Sequence, residues 1–496
     1  MEQLIELVQL ISKRKLSQIE VFDKSLISRK DTLFAKLYNG IADGDILTDF
    51  EAMQILYGKK NDTTNYRKLK SRFKERLLNT LYFIDLNHTT EEDGSKKAYF
   101  NCTNRLYLSN ILLRYAENRT ISIQLILDSY PTAKKYNFYD ILKEYSYKLL
   151  VHYGMNGNEK KYHDEYEAYL KYTKEYELEQ QAQLIYTKVM FTVHYSKLSI
   201  VQKETELKKL IKEATVISEK AKSLVVYFIH IRTLLFYYEI TGNNKKIKET
   251  CDVYLTHYKK YLTTILSNNY LNTIYIYKLK SLADMRDSVA AESLITQILS
   301  ISKGANYLAV REFEIKLLLN RNENFNIIKE KIHEIKASAH FKQSNNTLKE
   351  RWFVYNAYAS FLESVQLKGV YKFSLSKFNN EIPTISQDKS GFNLSARILS
   401  IIFYIARRDF ENAMQQIEAL RMYQIRYLKD SSHARSNLFI KLLFHLEKRN
   451  FSYREQLLHK EYLILKEHYE QQIMHESEVI FYDKLWEIII DILKNK

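Results

Sequence analysis

The chain predicts an all-α fold: a helical-hairpin solenoid preceded by a small N-terminal helical domain. Three observations carry this expectation. Among 496 residues only 2 are Pro and 10 are Gly, against average usage of roughly 5% and 7%. Breakers that scarce suit long helices with short connections and leave little room for an all-β fold. Apolar residues recur at helical spacing through most of the chain. Polar, helix-ending corners then recur near Asn118, Asn156, Ser199, Gly242, Asp284, Glu323, Leu367, Asp409 and Asn450, at intervals of about 42 residues. One apolar and one amphipathic helix cannot bury their faces alone, so pairs of this period are expected to stack into a continuous core with an inner groove.

Composition bounds the rest. A hydrophobic content of 46% is ample for a sizeable core. The two cysteines, Cys102 and Cys251, form neither a disulfide framework nor a CxxC metal site, which points to a reducing compartment. The N-terminus carries Glu2 and Glu6 where a signal peptide needs basic residues. No apolar run reaches the ~18 residues of a membrane span. The best candidate, Val479 to Leu493, is interrupted by Asp483, Lys484, Glu487 and Asp491. The expectation is a soluble, cytoplasmic protein without a membrane partner. A net charge of +16 favours polyanionic partners. A composition rich in Lys, Asn, Ile and Tyr accounts for the same charge without any such partner.

Residues 1–95 read as the N-terminal domain. Leu4, Leu7, Val8 and Ile11 mark an amphipathic first helix, and Leu33, Phe34, Leu37 and Tyr38 a second. Gly40 to Gly44 read as a turn. Thr48 and Asp49 offer a cap for a helix from Phe50 to Tyr57, closed by Gly58. A longer helix is expected from Thr64 to Ile84, with Tyr66, Leu69, Phe73, Leu77 and Leu81 on its core face. Around its start lies the densest basic cluster in the chain: Lys59, Lys60, Arg67, Lys68, Lys70, Arg72, Lys74 and Arg76. Short helix, turn, basic helix is the order of a helix-turn-helix, and Asp93-Gly94-Ser95 before Ala98-Tyr99-Phe100 would suit a small wing. In that reading the basic side chains neutralise phosphates and reach base edges. The competing structural reading is a solvated cap of the array.

Residues 96–496 read as about nine hairpins. The helices before the corners are apolar, as in Leu224 to Ile240 and Leu394 to Ala406; those after are more polar, as in Lys245 to Tyr258 and Glu411 to Tyr423. At Asp409-Phe410-Glu411-Asn412-Ala413, an acidic corner is followed by an aromatic and then a small residue three positions on. This corner resembles the tetratricopeptide-repeat family. The resemblance is best over 394–429 and fair over 225–260, 306–336 and 436–470. It implies a scaffold that binds proteins or peptides. The period exceeds the family's, and its first-helix Trp/Leu-Gly signature is missing.

The array is interrupted after Leu367. Asn379 to Phe392 reads as a loop around Pro383 and Lys389, either a binding element or a packed connector. A stripe of tyrosines, Tyr162, Tyr166 and Tyr169, continues through Tyr172 and Tyr176 with lysines between. Such a stripe can anchor a partner, stack bases, or pack between helices with its hydroxyls wet. No phosphate loop, HExxH or Gly-x-Ser-x-Gly occurs. His445, His459, His468 and His475 lack helical ligand spacing and read as surface residues. No catalytic, metal or cofactor site is expected. The leading reading is a non-catalytic scaffold gripping a protein partner along its groove. The alternative is a nucleic-acid-binding regulator with the basic helix on DNA or RNA.

Overall fold

The computed structural model describes residues 32–494, except 59–62, 82–93, 116–118, 259–267, 301, 303, 322–324, 367–377, 379–391, 429–432, 455, 457–458 and 468–477. Every regular element among the described residues is helical, as expected. The chain divides into two compact units: Met1–Lys134 with Glu144–Glu165, and Lys135–Lys143 with Tyr166–Lys496.

The first unit begins with α1 (Leu33–Asp43), α2 (Asp49–Tyr57), α3 (Thr63–Leu81) and α4 (Gly94–Tyr115). Thr48 caps α2 as expected: its hydroxyl accepts from Glu51 N at 3.2 Å, and the Glu51 carboxylate accepts from Thr48 N at 2.8 Å. Leu37, Ile46, Ala52, Tyr66, Leu69 and Phe73 close a small core. Two expectations are corrected. Gly40 belongs to α1, not to a turn; a Cβ there would lie 2.6 Å from Ile46 Cδ1, so glycine lets the chain fold back onto the helix. Ala98-Tyr99-Phe100 is helical, and α4 runs on from Gly94, so this segment supplies no wing strand. Lys96, Lys97 and the buried Ala98 and Cys102 give the segment the period of a helix.

α5 (Thr120–Tyr136), α6 (Tyr139–Met155) and α7 (Glu159–His194) follow. Within the first unit, Tyr145 OH donates to Cys102 O at 2.7 Å, and Ser129 donates to Tyr145 OH at 2.7 Å.

The second unit continues with α8 (Ile200–Lys220), α9 (Leu224–Ile240), α10 (Asn244–Tyr258), α11 (Asn268–Asp284), α12 (Ser288–Leu299), α13 (Gly304–Arg321), α14 (Phe325–Ala337), α15 (Ala339–Lys342), α16 (Asn346–Gln366), α17 (Phe392–Ala406), α18 (Phe410–Tyr427), α19 (Ala434–Lys448), α20 (Lys460–Glu467) and α21 (Tyr482–Lys494). From α8 to α14, each helix packs on the next.

Four of the expected corners share one device. Gly157, Gly242, Arg286 and Arg408 are left-handed, with φ of 66°, 68°, 59° and 60°. In each case the following Asn or Asp donates its N–H back five residues: Asn158 to Tyr153 O, Asn243 to Tyr238 O, Asp287 to Leu282 O and Asp409 to Tyr404 O, at 2.9–3.0 Å. The same Asn or Asp side chain then caps the next helix, accepting from Lys161 N, Lys246 N, Ala290 N and Asn412 N at 3.1–3.3 Å. A helix stop and a helix start are thus written in two adjacent residues. Four positions past the cap, Ile247, Ala291 and Ala413 are buried. The expected corner at Asn450 differs. Asn450 and Phe451 are both left-handed, Phe451 stacks on Phe410 at 4.6 Å, and among the described residues the next α-helix is the one from Lys460.

The last segment departs from a simple array. Instead of packing only on its neighbour α20, α21 also reaches α17 and α19. It completes one large core running from Leu308 to Leu493 that includes Trp352, Phe361, Phe403, Phe439 and Trp486. The segment leading into it and its first turn are tied down by ion pairs. Arg435 donates two hydrogen bonds to Glu478 at 2.8 and 2.9 Å. Arg286 donates two to Asp483 at 2.6 and 2.8 Å, a contact 197 residues apart in sequence.

Candidate functional site

The expected basic surface is only partly free. Lys59 and Lys60 lie outside the described residues. Tyr66 and Lys70 both donate to Asp49 Oδ1, at 2.7 and 2.6 Å. Those two bonds, Lys70 first, hold the Asp49 carboxyl below its ordinary range, while burial and then Asp49 push Tyr66 up to about 12. Arg72 and Arg76 lie over the Phe34 ring at 6.0 and 4.3 Å. Lys70, Arg72 and Arg76 therefore build the small helical core's rim. Arg67, Lys68 and Lys74 are exposed.

The tyrosine stripe is buried in part. Tyr162 lies against Gly154, where a Cβ would stand 3.2 Å from its ring. Tyr172 is buried and meets Tyr139 at 6.3 Å. Tyr169 is half-buried and Tyr166 is exposed. Pro383 and Lys389 lie outside the described residues.

The structure instead places a cleft of about 320 Å³ within the second unit. Its walls come from α9, α11, α13, α16, the start of α17 and the segment before α21. Tyr277, Phe313, Phe392 and Phe481 supply aromatic surface. Three cations, Lys280, Lys316 and Arg351, face four carboxyl groups, Glu239, Asp284, Glu312 and Glu478. Most of these charges are already organised. Lys280 pairs with Glu239. Arg351 reaches Glu312 at 3.3 Å and lies over Phe392 at 4.9 Å. Glu478 is held by Arg435.

The electrostatics follow from this crowding. Burial opposes the Lys280 charge, yet Glu239 and Asp284 outweigh it and hold the ammonium well above its usual range. Burial pushes the Asp284 carboxyl up to about 7, against the pull of Lys280 and Lys316. One wall of the cleft thus carries a carboxyl group that titrates near neutrality, next to fixed charges of both signs. Such a lining can recognise a ligand bearing both charges and an apolar body.

Sequence reasoning passed over these residues because they sit on separate helices and no local motif joins them. A signal was present: Lys280 falls between the apolar Leu279 and Leu282, and Lys316 between Ile315 and Leu317. A charge embedded in a buried helix face needs a partner or a role. No protein-family model, curated protein or solved structure matches this chain. Among the described residues no helix is long and apolar enough to cross a membrane.

Proposed function

We propose that this chain is a non-catalytic helical-repeat scaffold that holds a segment of a protein partner in the cleft of its second unit. The observation behind this reading is the cleft's lining: aromatic walls with both signs of charge, drawn from successive hairpins. Its volume of about 320 Å³ suits a few side chains or a chain end, not a folded domain. The organised ion pairs favour specificity over bulk adhesion. Both cysteines are buried free thiols, in keeping with a reducing compartment such as the cytoplasm.

The test is capture from the native source with nuclease treatment, comparing the parent chain with Ala309→Trp, which fills the cleft, and Lys316→Glu, which inverts one wall. A specific protein captured by the parent and lost by both variants is the expected result. Equal capture by all three would overturn the reading.

A second reading rests on the exposed Arg67, Lys68 and Lys74 of α3 and the net charge of +16. Here the first unit contacts nucleic acid. In the same experiment, a nuclease-sensitive association lost in an Arg67→Glu, Lys68→Glu, Lys74→Glu variant would favour it. Lys70, Arg72 and Arg76 are unsuitable for that test, since their contacts with Asp49 and Phe34 belong to the fold.

A further inference from the structure

Three side chains near the end of α19 form a group that the scaffold reading does not use. His445 lies in the last turn of α19, His459 immediately precedes α20, and Glu461 lies in its first turn. The chain between them carries the two left-handed residues Asn450 and Phe451, which turn it back on itself. As a result the two imidazoles, 14 residues apart, face each other with ring centroids 4.1 Å apart. The expectation that these histidines are independent surface residues is corrected for this pair. Both are half-buried, while His468 and His475 lie outside the described residues.

The donor atoms converge. One ligand atom from each of His445, His459 and Glu461 lies within 4.8 Å of the other two. In a tetrahedral site with metal–ligand bonds near ~2.1 Å, such atoms stand ~3.4 Å apart. Side-chain adjustments on the order of an ångström therefore suffice. A second observation points the same way. His459 Nδ1 and Glu461 Oε2 stand 2.6 Å apart as an ion pair, and both atoms are buried. Glu461 is 8% exposed. An ion that displaces the proton shared by this pair would find an imidazole nitrogen and a carboxylate oxygen already side by side, with the His445 ring against them. His459 is more open, with its side chain 27% exposed, so an ion has access from solvent.

We propose that His445, His459 and Glu461 form a binding site for a divalent transition metal, with zinc as its natural occupant. Two neutral imidazoles and one carboxylate are the borderline donor set that zinc takes, and a fourth position remains for water or for a partner's side chain. Magnesium and calcium prefer all-oxygen sites and fit poorly. The ion would bolt the end of α19 to the start of α20 across a corner whose own capping is irregular. The site does not depend on the cleft or on its occupant.

The test uses the full chain without a polyhistidine tag, with zinc alone as the probe, by calorimetry and thermal melting. Cobalt substitution reports the coordination geometry by visible absorption. The expected result is one ion per chain, a rise in melting temperature, and four-coordinate cobalt bands. Each of His445→Gln, His459→Gln and Glu461→Gln should weaken binding by about tenfold or more. These near-isosteric variants keep the corner packed, and circular dichroism of each without metal checks that it is folded. No bound zinc in the parent, or binding that survives unchanged in all three variants, would overturn the proposal.

Discussion

At the scale of single residues, the informative positions are charges placed where apolar side chains would pack. Asp284 is one. Its carboxyl titrates at about 7 because burial dominates over Lys280 and Lys316. The ordinary value is 3.8, so between these two pH values the folded chain keeps a proton that the unfolded chain has released. Stability must then fall as pH rises from about 4 to about 7. Asp284→Asn removes that loss. Melting curves at pH 5 and pH 8 should show the variant more stable than the parent at pH 8, with the gap narrowing at pH 5. An equal offset at both values would mean that Asp284 is not the group responsible. Such residues are hard to read in a sequence, because the same Lys-x-x-x-Asp spacing on an exposed helix means only a surface pair. What separates the two cases is the neighbouring helix face. Glu239 and Lys316 come from other hairpins and become neighbours only after stacking.

At the scale of elements, the hairpin corner was the most legible part of the chain. Polar breaks at Asn156, Gly242, Asp284 and Asp409 mark real helix ends, because the residues that stop and cap helices are few and chemically distinct. Two corners hid their geometry. Arg286 and Arg408 adopt left-handed conformations that arginine does not favour. Arg286 is held by Asp483 and Arg408 by the carbonyls of Ile492 and Leu493. Tertiary contacts there take the place of glycine, and no local pattern announces them. Gly157 is the plain case: a Cβ there would meet nothing within 4 Å, so Gly157→Ala should cost about 1 kcal/mol through the left-handed penalty alone. Denaturant unfolding measures this directly. A neutral result would show that the corner relaxes to another turn. The wing expected at Ala98 to Phe100 failed for a related reason. Three apolar or aromatic residues after Gly94-Ser95 look like a short strand, yet the helical period emerges only when Cys102 and Leu112 are included as buried positions.

At the scale of the whole molecule, periodicity alone misleads about how energy is shared. An array of equal hairpins would have nearest-neighbour stability, with each pair opening nearly independently. The early hairpins of the second unit fit that picture: α8 and α9 share one small cluster, and α9, α10 and α11 another. The later ones do not. One large core between Leu308 and Leu493 includes α21, whose Trp486 is fully buried and donates its indole N–H to Gln456 O at 3.3 Å. Ion pairs from Arg435 to Glu478 and from Arg286 to Asp483 fasten the lead and first turn of α21 onto distant parts of the chain. A core closed by its last element should open as one cooperative unit. Trp486→Ala should therefore cost about 3–5 kcal/mol and lower hydrogen-exchange protection together in α16, α17, α19 and α21. Protection in α9 and α10, which lie in a separate cluster, should stay as in the parent. Loss confined to α20 and α21 would restore the independent-hairpin description. The cleft adds a functional stake, since Glu478 and Phe481 form part of its wall. A segment that completes the core also completes the proposed binding surface, so loosening α21 should weaken partner capture before the early hairpins unfold.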